Sequence, residues 1–178
     1  METTIKTATN TWSLDKAHAK TGFTSMHMLV SEVEGFFRSF DATLKTAGDD
    51  FSGAKVEFTA EVKSIDTHNE QRDAHLQAPD FFDAAQFPQV KFSSKSFIKT
   101  GDNTYNLNGD LTIRNITRNI DLSVKAASGE NPFTKKKIAG FKLTGEIKRN
   151  DFGVGASVPS FVVGETIHII ANAEFVAE

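Results

Sequence analysis

The sequence predicts an all-β domain of about eight or nine strands, arranged as an up-and-down barrel or as a sandwich. In several segments apolar residues recur at every second position, and turn residues separate those segments. A further observation concerns the aromatic residues, because Phe occurs 16 times against one Trp and one Tyr. Since Phe carries no polar group, so many rings predict a large core or an apolar cavity.

The clearest strands alternate apolar and polar residues, as half-buried strands do, over residues 55–63, 106–113, 120–125 and 167–175. Less regular segments that are rich in β-forming residues occupy residues 23–30, 35–44, 90–98 and 139–149. Gly, Asp, Asn and Pro mark turns at residues 48–50, 100–103 and 128–132. Most connections are therefore short, which favours antiparallel neighbours.

One segment, residues 69–85, has a helical pattern instead. Asn69 is a good N-cap, and Pro79 is expected to end the turn that follows. This short excursion also contains three apolar side chains that need to be buried: Leu76, Phe81 and Phe82. One end of a barrel would bury them, and there they would act as a lid.

Composition narrows the classes of function. The 178 residues suit one domain, predicted over residues 11–178, preceded by a flexible segment at residues 1–10. A formal net charge of -3 does not favour nucleic acid as a partner, and the absence of Cys excludes disulfides and thiolate metal sites. The first residues show no cationic segment followed by an apolar one, so no leader is predicted and the expected location is the cytoplasm.

A series of short motifs runs through nearly the whole chain. WSLDKAH at residues 12–18 and GFFRSF at residues 35–40 come first. More specific motifs follow in order: SIDT at 64–67, RDAHL at 72–76, DFFDA at 80–84, FPQVKF at 87–92, NGDLTI at 108–113 and RNDFGV at 149–154. In this order and spacing they resemble the bacterial YceI-like family. Asn115 stands where that family usually has Gly, and because Asn tolerates a positive φ, we expect the turn to persist.

The resemblance implies a closed antiparallel up-and-down barrel of about eight strands, lipocalin-like, often found as a homodimer and often in the periplasm. It predicts binding, storage or transport of a long-chain amphiphilic lipid, such as a polyisoprenoid, an isoprenoid quinone or a fatty acyl derivative. No cofactor is predicted, since a quinone would enter as the ligand. Two alternatives stay open: a structural or protein-interaction barrel with a packed interior, and an enzyme that acts on a hydrophobic substrate.

Candidate ligand contacts are the residues expected to point into the barrel or to cover its end. His27 shares parity with Phe23 and Ser25, so it is expected to face inward and to hydrogen-bond a ligand headgroup. Alternation alone does not separate the wall of a cavity from ordinary core residues, which is the competing interpretation. The candidates are Phe23, His27, Phe37, Phe40, Phe58, Leu76, Phe81, Phe82, Phe92, Leu107, Leu111, Ile120, Phe141 and Ile169.

The enzyme alternative depends on a dense polar cluster that includes Arg72, His75 and Asp80. His75 and Asp80 would form an acid–base pair. The competing interpretation is structural, with Arg72 in an ion pair and the acids capping helical turns. No Gly-x-Ser-x-Gly or HExxH motif accompanies the cluster, so the structural interpretation is favoured.

Two further features concern metals and membranes. His18, His27 and His168 lie on different predicted strands without a nearby carboxylate, so no metal site is predicted. Phe133 and the three lysines at residues 135–137 lie in a predicted loop. They would make a transient contact with an anionic membrane, the alternative being an ordinary solvated hairpin tip.

Overall fold

The computed structural model describes residues 9–48 and 50–178. Residues 1–8 of the flexible segment predicted at residues 1–10 therefore lie outside the described residues. Within them the chain forms ten antiparallel strands, and eight of these close into a barrel. The strands are β1 (Asn10–His27), β2 (Ser31–Phe37), β3 (Phe40–Thr46), β4 (Lys55–Glu61), β5 (Ile65–Asp66), β6 (Gln89–Gly101), β7 (Thr104–Ile113), β8 (Ile116–Glu130), β9 (Lys137–Lys148) and β10 (Val163–Ala177).

The barrel closes because β1 and β10 pair along most of their length. Around the barrel the order is β1, β3, β4, β6, β7, β8, β9 and β10, so most strands pair with a neighbour in sequence. The remaining two strands extend the sheet beyond this ring, since β2 pairs with the second half of β1, and β5 pairs with β2. The closed antiparallel barrel is confirmed, and the sandwich alternative is wrong.

A short helix, α1 (Glu70–Leu76), lies between β5 and β6. Asn69 caps it as predicted, because its side chain accepts a 2.9 Å hydrogen bond from the Arg72 N–H. After Leu76 the chain continues as a series of turns until β6. Within residues 9–48 and 50–178, no helix is long and apolar enough to cross a membrane.

Strand ends differ from the sequence prediction at several places. The segment predicted over residues 35–44 contains the turn between β2 and β3, and residues 28–30 of the segment predicted over 23–30 form the turn between β1 and β2. β1 already begins at Asn10, and its first residues pair with β3. β8 continues through Gly129 to Glu130, so the turn predicted at residues 128–132 begins only after Glu130. Pairing with β9 overrides the turn propensity there, since Gly129 lies opposite Ile138. The turn at Asn115 persists as expected, with a φ of 61°.

One end of the barrel, which we call the aromatic end, is filled by a cluster of six buried rings, those of Trp12, Phe51, Phe97, Tyr105, Phe141 and Phe175. The centroid of Phe51 lies 4.9 Å from that of Phe141 and 6.1 Å from that of Trp12. Phe97 and Tyr105 lie 5.1 Å apart. Edge-on and tilted contacts of this kind add to the stabilisation from buried apolar area. We call the opposite end, which carries α1, the helix end.

Tyr105 at the aromatic end gives a measurable dependence on pH. Burial, and then the Asp50 carboxylate that accepts its 2.8 Å hydrogen bond, raise the pKa of the Tyr105 phenol above its usual value near 10. The unfolded chain loses this proton near pH 10, while the folded chain still holds it. The contribution of Tyr105 to stability is therefore complete below about pH 10 and is lost as the pH rises through the higher folded-state pKa.

We expect the tyrosinate absorbance of the folded protein to have its midpoint above about pH 10. Because the chain contains one Tyr, this absorbance reports Tyr105 alone. Thermal melts from about pH 9 to about pH 11 should show a smaller loss of stability for Tyr105→Phe than for the unmodified protein. A midpoint at or below that of free tyrosine would contradict the prediction.

Candidate ligand-binding cavity

Two adjoining apolar chambers occupy the interior of the barrel. Chamber A lies toward the aromatic end and has a volume of about 140 Å³, and chamber B lies toward the helix end and has a volume of about 160 Å³. The residues that line both chambers form a waist between them: Thr21, Phe58, Leu111 and Ile169. The chambers therefore follow one another along the barrel and form an elongated space.

Period-two alternation turns the lining residues inward. On β7, Leu107 and Leu111 are buried, at 1% and 6% exposure, while the polar residues between them face outward. Gly109 holds the inward position between these two leucines. A Cβ at Gly109 would lie 2.5 Å from the ring of Phe92 on β6, so the missing side chain leaves room for that ring on the wall of chamber A.

The turns that follow α1 cover chamber B. Leu76, Phe81 and Phe82 all line this chamber, and the Phe82 ring meets that of Phe37 edge-on at 6.1 Å. Gly155, at a φ of 58°, brings its backbone against Phe81, where a Cβ would lie 2.7 Å from the ring. The segment thus closes the helix end. Its opening as a lid stays a prediction.

Chamber B contains a polar atom without a partner. Within the described residues, the buried Oγ of Ser25 has no hydrogen bond. A buried hydroxyl in this state costs about 1–3 kcal/mol, so an oxygen atom of a ligand placed beside it would be stabilised. The charged residue on the same wall, Arg149, is different, because carbonyl groups of the loop before β10 and of the first two residues of β10 accept its hydrogen bonds.

Chamber A reaches the seam between β1 and β10. Asp15 pairs with Glu174 and Lys20 pairs with Asn172, so residues 16–19 of β1 bulge opposite a single residue of β10. Lys20 and Asn172 are exposed, and both line chamber A at this break. The ammonium group of Lys20 lies over the ring of Phe36 on β2, 4.0 Å from its centroid.

The structure places thirteen of the fourteen predicted residues on the cavity wall. Their direct contact with a ligand stays a prediction. Chamber A contains Phe40, Phe92, Leu107, Ile120 and Phe141, the waist contains Phe58, Leu111 and Ile169, and chamber B contains Phe23, Phe37, Leu76, Phe81 and Phe82.

His27 is the exception, and the expectation that it faces inward is wrong. It is the last residue of β1, is exposed, and lines neither chamber. The register against β10 shifts between Ser25 and His27. The extra residues of this shift are on β10, while β1 keeps an unbroken register with β2, so His27 keeps the parity of Ser25 but lies at the end of the strand, beyond the cavity wall.

Sequence analysis missed further lining residues of both chambers, among them the polar residues Thr21, Ser25 and Arg149. Thr21 and Ser25 share parity with Phe23, so alternation would have identified them had polar residues been included. Arg149 stands beside Asn150 and Asp151, and a run of polar residues gives no signal that one of them is buried.

The polar cluster around α1 faces solvent. His75 Nε2 lies 2.8 Å from Asp80 Oδ2, with the two side chains 61% and 46% exposed, and the hydrogen bond from His75 lowers the pKa of Asp80. Arg72 donates to the hydroxyl and carbonyl oxygens of Thr67, both at 2.7 Å, rather than forming the predicted ion pair. None of His75, Asp80 and Arg72 lines a chamber.

The β1 bulge brings two carboxylates to His18, which the sequence did not predict. The candidate ligand atoms of Asp15, His18 and Glu174 all lie within 4.8 Å of one another. The hydrogen bond with His18 lowers the pKa of Asp15, and the pKa of His18 is raised in return. His18 is exposed and this hydrogen bond accounts for the contact, so we assign no cation to the group. His168 instead lies 3.1 Å from Glu146.

The sequence model of the YceI-like domain matches residues 12–175. The chain belongs to the YceI-like family. Protein YceI of Escherichia coli is 35% identical to it over 146 residues, which cover 80% of this chain and 75% of that protein. The resemblance seen in the motifs is confirmed.

Solved structures share the YceI-like barrel. Burkholderia cenocepacia BcnA superimposes with a TM-score of 0.82 at 25% identity, covering 90% of this chain and 98% of that chain. A polyisoprenoid binding domain from Saccharophagus degradans, implicated in plant cell wall breakdown, gives a TM-score of 0.68 at 15% identity, covering 94% and 98%. At that identity the second similarity shows the fold alone.

Proposed function

We propose that this YceI-like protein binds a long-chain amphiphilic lipid inside its barrel, the candidates being a polyisoprenoid, an isoprenoid quinone or a fatty acyl derivative. The observation that carries the proposal is the pair of adjoining apolar chambers that meet at Thr21, Phe58, Leu111 and Ile169. The polyisoprenoid binding domain with the same fold supports it as an example of what such a barrel holds.

The volume of the cavity favours an occupied interior. Together the chambers enclose about 300 Å³. At about 24 cal/mol per Å³, a cavity of this size left unfilled costs about 7 kcal/mol, which is comparable with the stability of a whole domain. An apolar ligand would offset this cost, whereas a structural barrel with a packed interior would have no such cavity.

The shape of the cavity favours a long ligand. From Leu107 on chamber A to Ile113 on chamber B, β7 spans about 20 Å at about 3.4 Å per residue. Each buried CH₂ contributes about 0.8 kcal/mol, so about ten give roughly 8 kcal/mol and about twenty give roughly 16 kcal/mol. Association costs of about 4–15 kcal/mol can cancel the first gain entirely but do not cancel the second.

Binding rather than catalysis is part of the proposal, because the exposed His75–Asp80 pair lies outside both chambers. Storage or transport of the lipid, and a homodimer, rest on the family resemblance and are included on that basis.

Protein purified from cells under native conditions should carry a long-chain lipid. Native mass spectrometry is expected to show a mass above that of the polypeptide, and organic extraction should release a molecule with roughly twenty or more apolar carbons. A protein without such a molecule that also fails to bind added long-chain lipid would overturn the proposal. Short-chain homologues serve as the control, and they are expected to bind weakly.

A further inference from the structure

The turn between β1 and β2 exposes an unbroken run of apolar residues. Met28 is 50% exposed, Leu29 71% and Val30 84%. Phe161, 63% exposed, lies in the loop before β10, and that loop is held against the turn by a 3.0 Å hydrogen bond from the Met28 N–H to the Val162 carbonyl. Together with Met26, these residues form what we call the apolar tip.

The backbone of this turn is one that apolar residues rarely adopt. A 3.0 Å hydrogen bond from the Val30 N–H to the His27 carbonyl closes it, and Met28 and Leu29 between them have φ values of 52° and 59°. Two positive φ values define the type I′ hairpin turn, for which Asn-Gly is strongly preferred. Large apolar residues at both positions strain the backbone and also expose their side chains to solvent. Residues held in such rarely adopted backbone conformations cluster at functional sites.

The apolar tip adjoins chamber B. A Cβ at Gly164, at the start of β10, would lie 3.1 Å from the Cβ of Met26, so the two residues are close neighbours. His27 pairs with Val163, which lines chamber B two residues after Phe161. The tip therefore lies at the helix end of the barrel, beside the end of the cavity.

The size of the apolar tip and the charges beside it indicate which kind of partner it binds. A standard protein interface buries about 800 Å² per partner over about 20–30 residues, whereas this tip is a convex projection of five residues. Glu32 lies opposite Met26, and on β10 Glu165 is followed by Thr166, which pairs with Lys148, so the charges near the tip are mixed and give no net attraction to an anionic surface. A small apolar tip without a basic patch suits shallow insertion into a zwitterionic lipid surface, since insertion there depends on apolar burial and not on charge.

We propose that the apolar tip is a docking element that inserts into the surface of a zwitterionic bilayer and brings the end of chamber B to it. The choice of a bilayer as partner rests on the proposed function, since a lipid cargo must enter from a lipid phase. The site differs from the basic loop singled out in the sequence. Phe133, 93% exposed, lies with that loop at the aromatic end, where Ile138 pairs with Val176.

The test is flotation with phosphatidylcholine vesicles. The unmodified protein should float with them to the same extent at about 0.1 M and about 1 M salt, because screening does not weaken an apolar contact. Met28→Asn combined with Leu29→Gly creates the preferred turn while removing two apolar side chains. This variant should bind the vesicles about tenfold less or weaker still, with an unfolding temperature that is not lowered.

Two further variants complete the test. Val30→Ser should weaken flotation without changing the turn residues, and Phe133→Ser, at the opposite end, should leave it unchanged. Because the chain has no Cys, Leu29→Cys and Phe133→Cys each accept one environment-sensitive dye, and only the dye at 29 should shift to the blue on adding vesicles.

The inference would be overturned if the double variant and the unmodified protein floated equally, or if neither of them floated. It would also be overturned if Phe133→Ser were the one variant that lost flotation. A dimer that the double variant converts to a monomer would also overturn it, in favour of a second copy as the partner. Lipid extracted from the same samples tests the proposed function separately. A double variant that keeps its lipid but no longer floats supports both.

Discussion

Arg149→Met is expected to lower the free energy of unfolding by about 4 kcal/mol, a large part of the stability of an ordinary domain. Arg149 is 3% exposed, and no ion pair to a carboxylate accompanies it within the described residues. Burial lowers the pKa of its guanidinium, and the nearby Glu165 carboxylate opposes that effect. The charge is instead held by carbonyl groups of the loop before β10 and of the start of β10, and by the side-chain oxygen of Asn150, 3.1 Å from the guanidinium.

The guanidinium nitrogens donate to the carbonyl oxygens of Val154, Gly155, Val158, Val163 and Gly164. Met has a similar reach but no donors, so these carbonyls would lose a charged partner. A buried polar group left unsatisfied costs about 1–3 kcal/mol, and the loop relaxes enough that the costs do not add fully.

Urea unfolding measures this effect, with an expected fall in the midpoint of about 2 M at a slope of about 2 kcal/mol per M. Arg118→Met is the matched control, because Arg118 is exposed and donates only to the carbonyl of the adjacent Thr117. Its midpoint should change little. If the two variants unfolded at the same urea concentration, the assigned role of Arg149 would be wrong.

Thr21→Trp should reduce the affinity for a lipid of about twenty carbons by about 100-fold or more. Thr21 lies in the waist, and an indole there would separate chamber A from chamber B. Loss of only about four buried CH₂ groups costs about 3 kcal/mol, which corresponds to about 100-fold in Kd. Affinity for a chain short enough to fit one chamber should fall much less.

Thr24→Trp gives a control with the same change in size on the same strand. Thr24 lies on the outer face of the barrel, beside Thr144 and His168, so the indole would not enter the cavity. Competition against a fluorescent fatty acid measures both variants. An unaltered chain-length preference in Thr21→Trp, with its unfolding temperature reduced only slightly, would show that ligands do not cross the waist.

Much of the architecture can be predicted from the sequence, because in a half-buried strand every second side chain faces the core and is apolar. Leu107, Leu111 and Ile169 were identified as inward-facing for that reason, and the helix at Asn69 was identified from its cap. The same logic failed where the register shifts. β1 changes register at residues 16–19, and β10 does so opposite Ser25 and His27, and neither shift can be derived from the order of residues in one strand.

Polar residues in the interior were the other failure. Arg149 carries no local sign of burial, since the carbonyl groups that accept its hydrogen bonds lie between 5 and 15 residues further along the chain. Ser25 has the parity of an inward residue, but as a polar residue it does not contribute to an apolar pattern. The apolar tip was missed for the opposite reason. Residues 28–30 match a strand pattern, and only the pairing of His27 with Ser31 shows that they form a turn instead.

The seam between the first and last strands has a consequence for biosynthesis. The hydroxyl of Ser13 meets the carboxylate of Glu178 at 2.5 Å, across 165 residues of chain. On the ribosome, a nascent chain therefore holds an open sheet with an uncapped edge until β10 emerges, and contacts of such long separation form slowly. During that interval the apolar inner face is exposed to solvent. The unfinished chain is therefore expected to bind chaperones, and the complete barrel is expected to fold slowly.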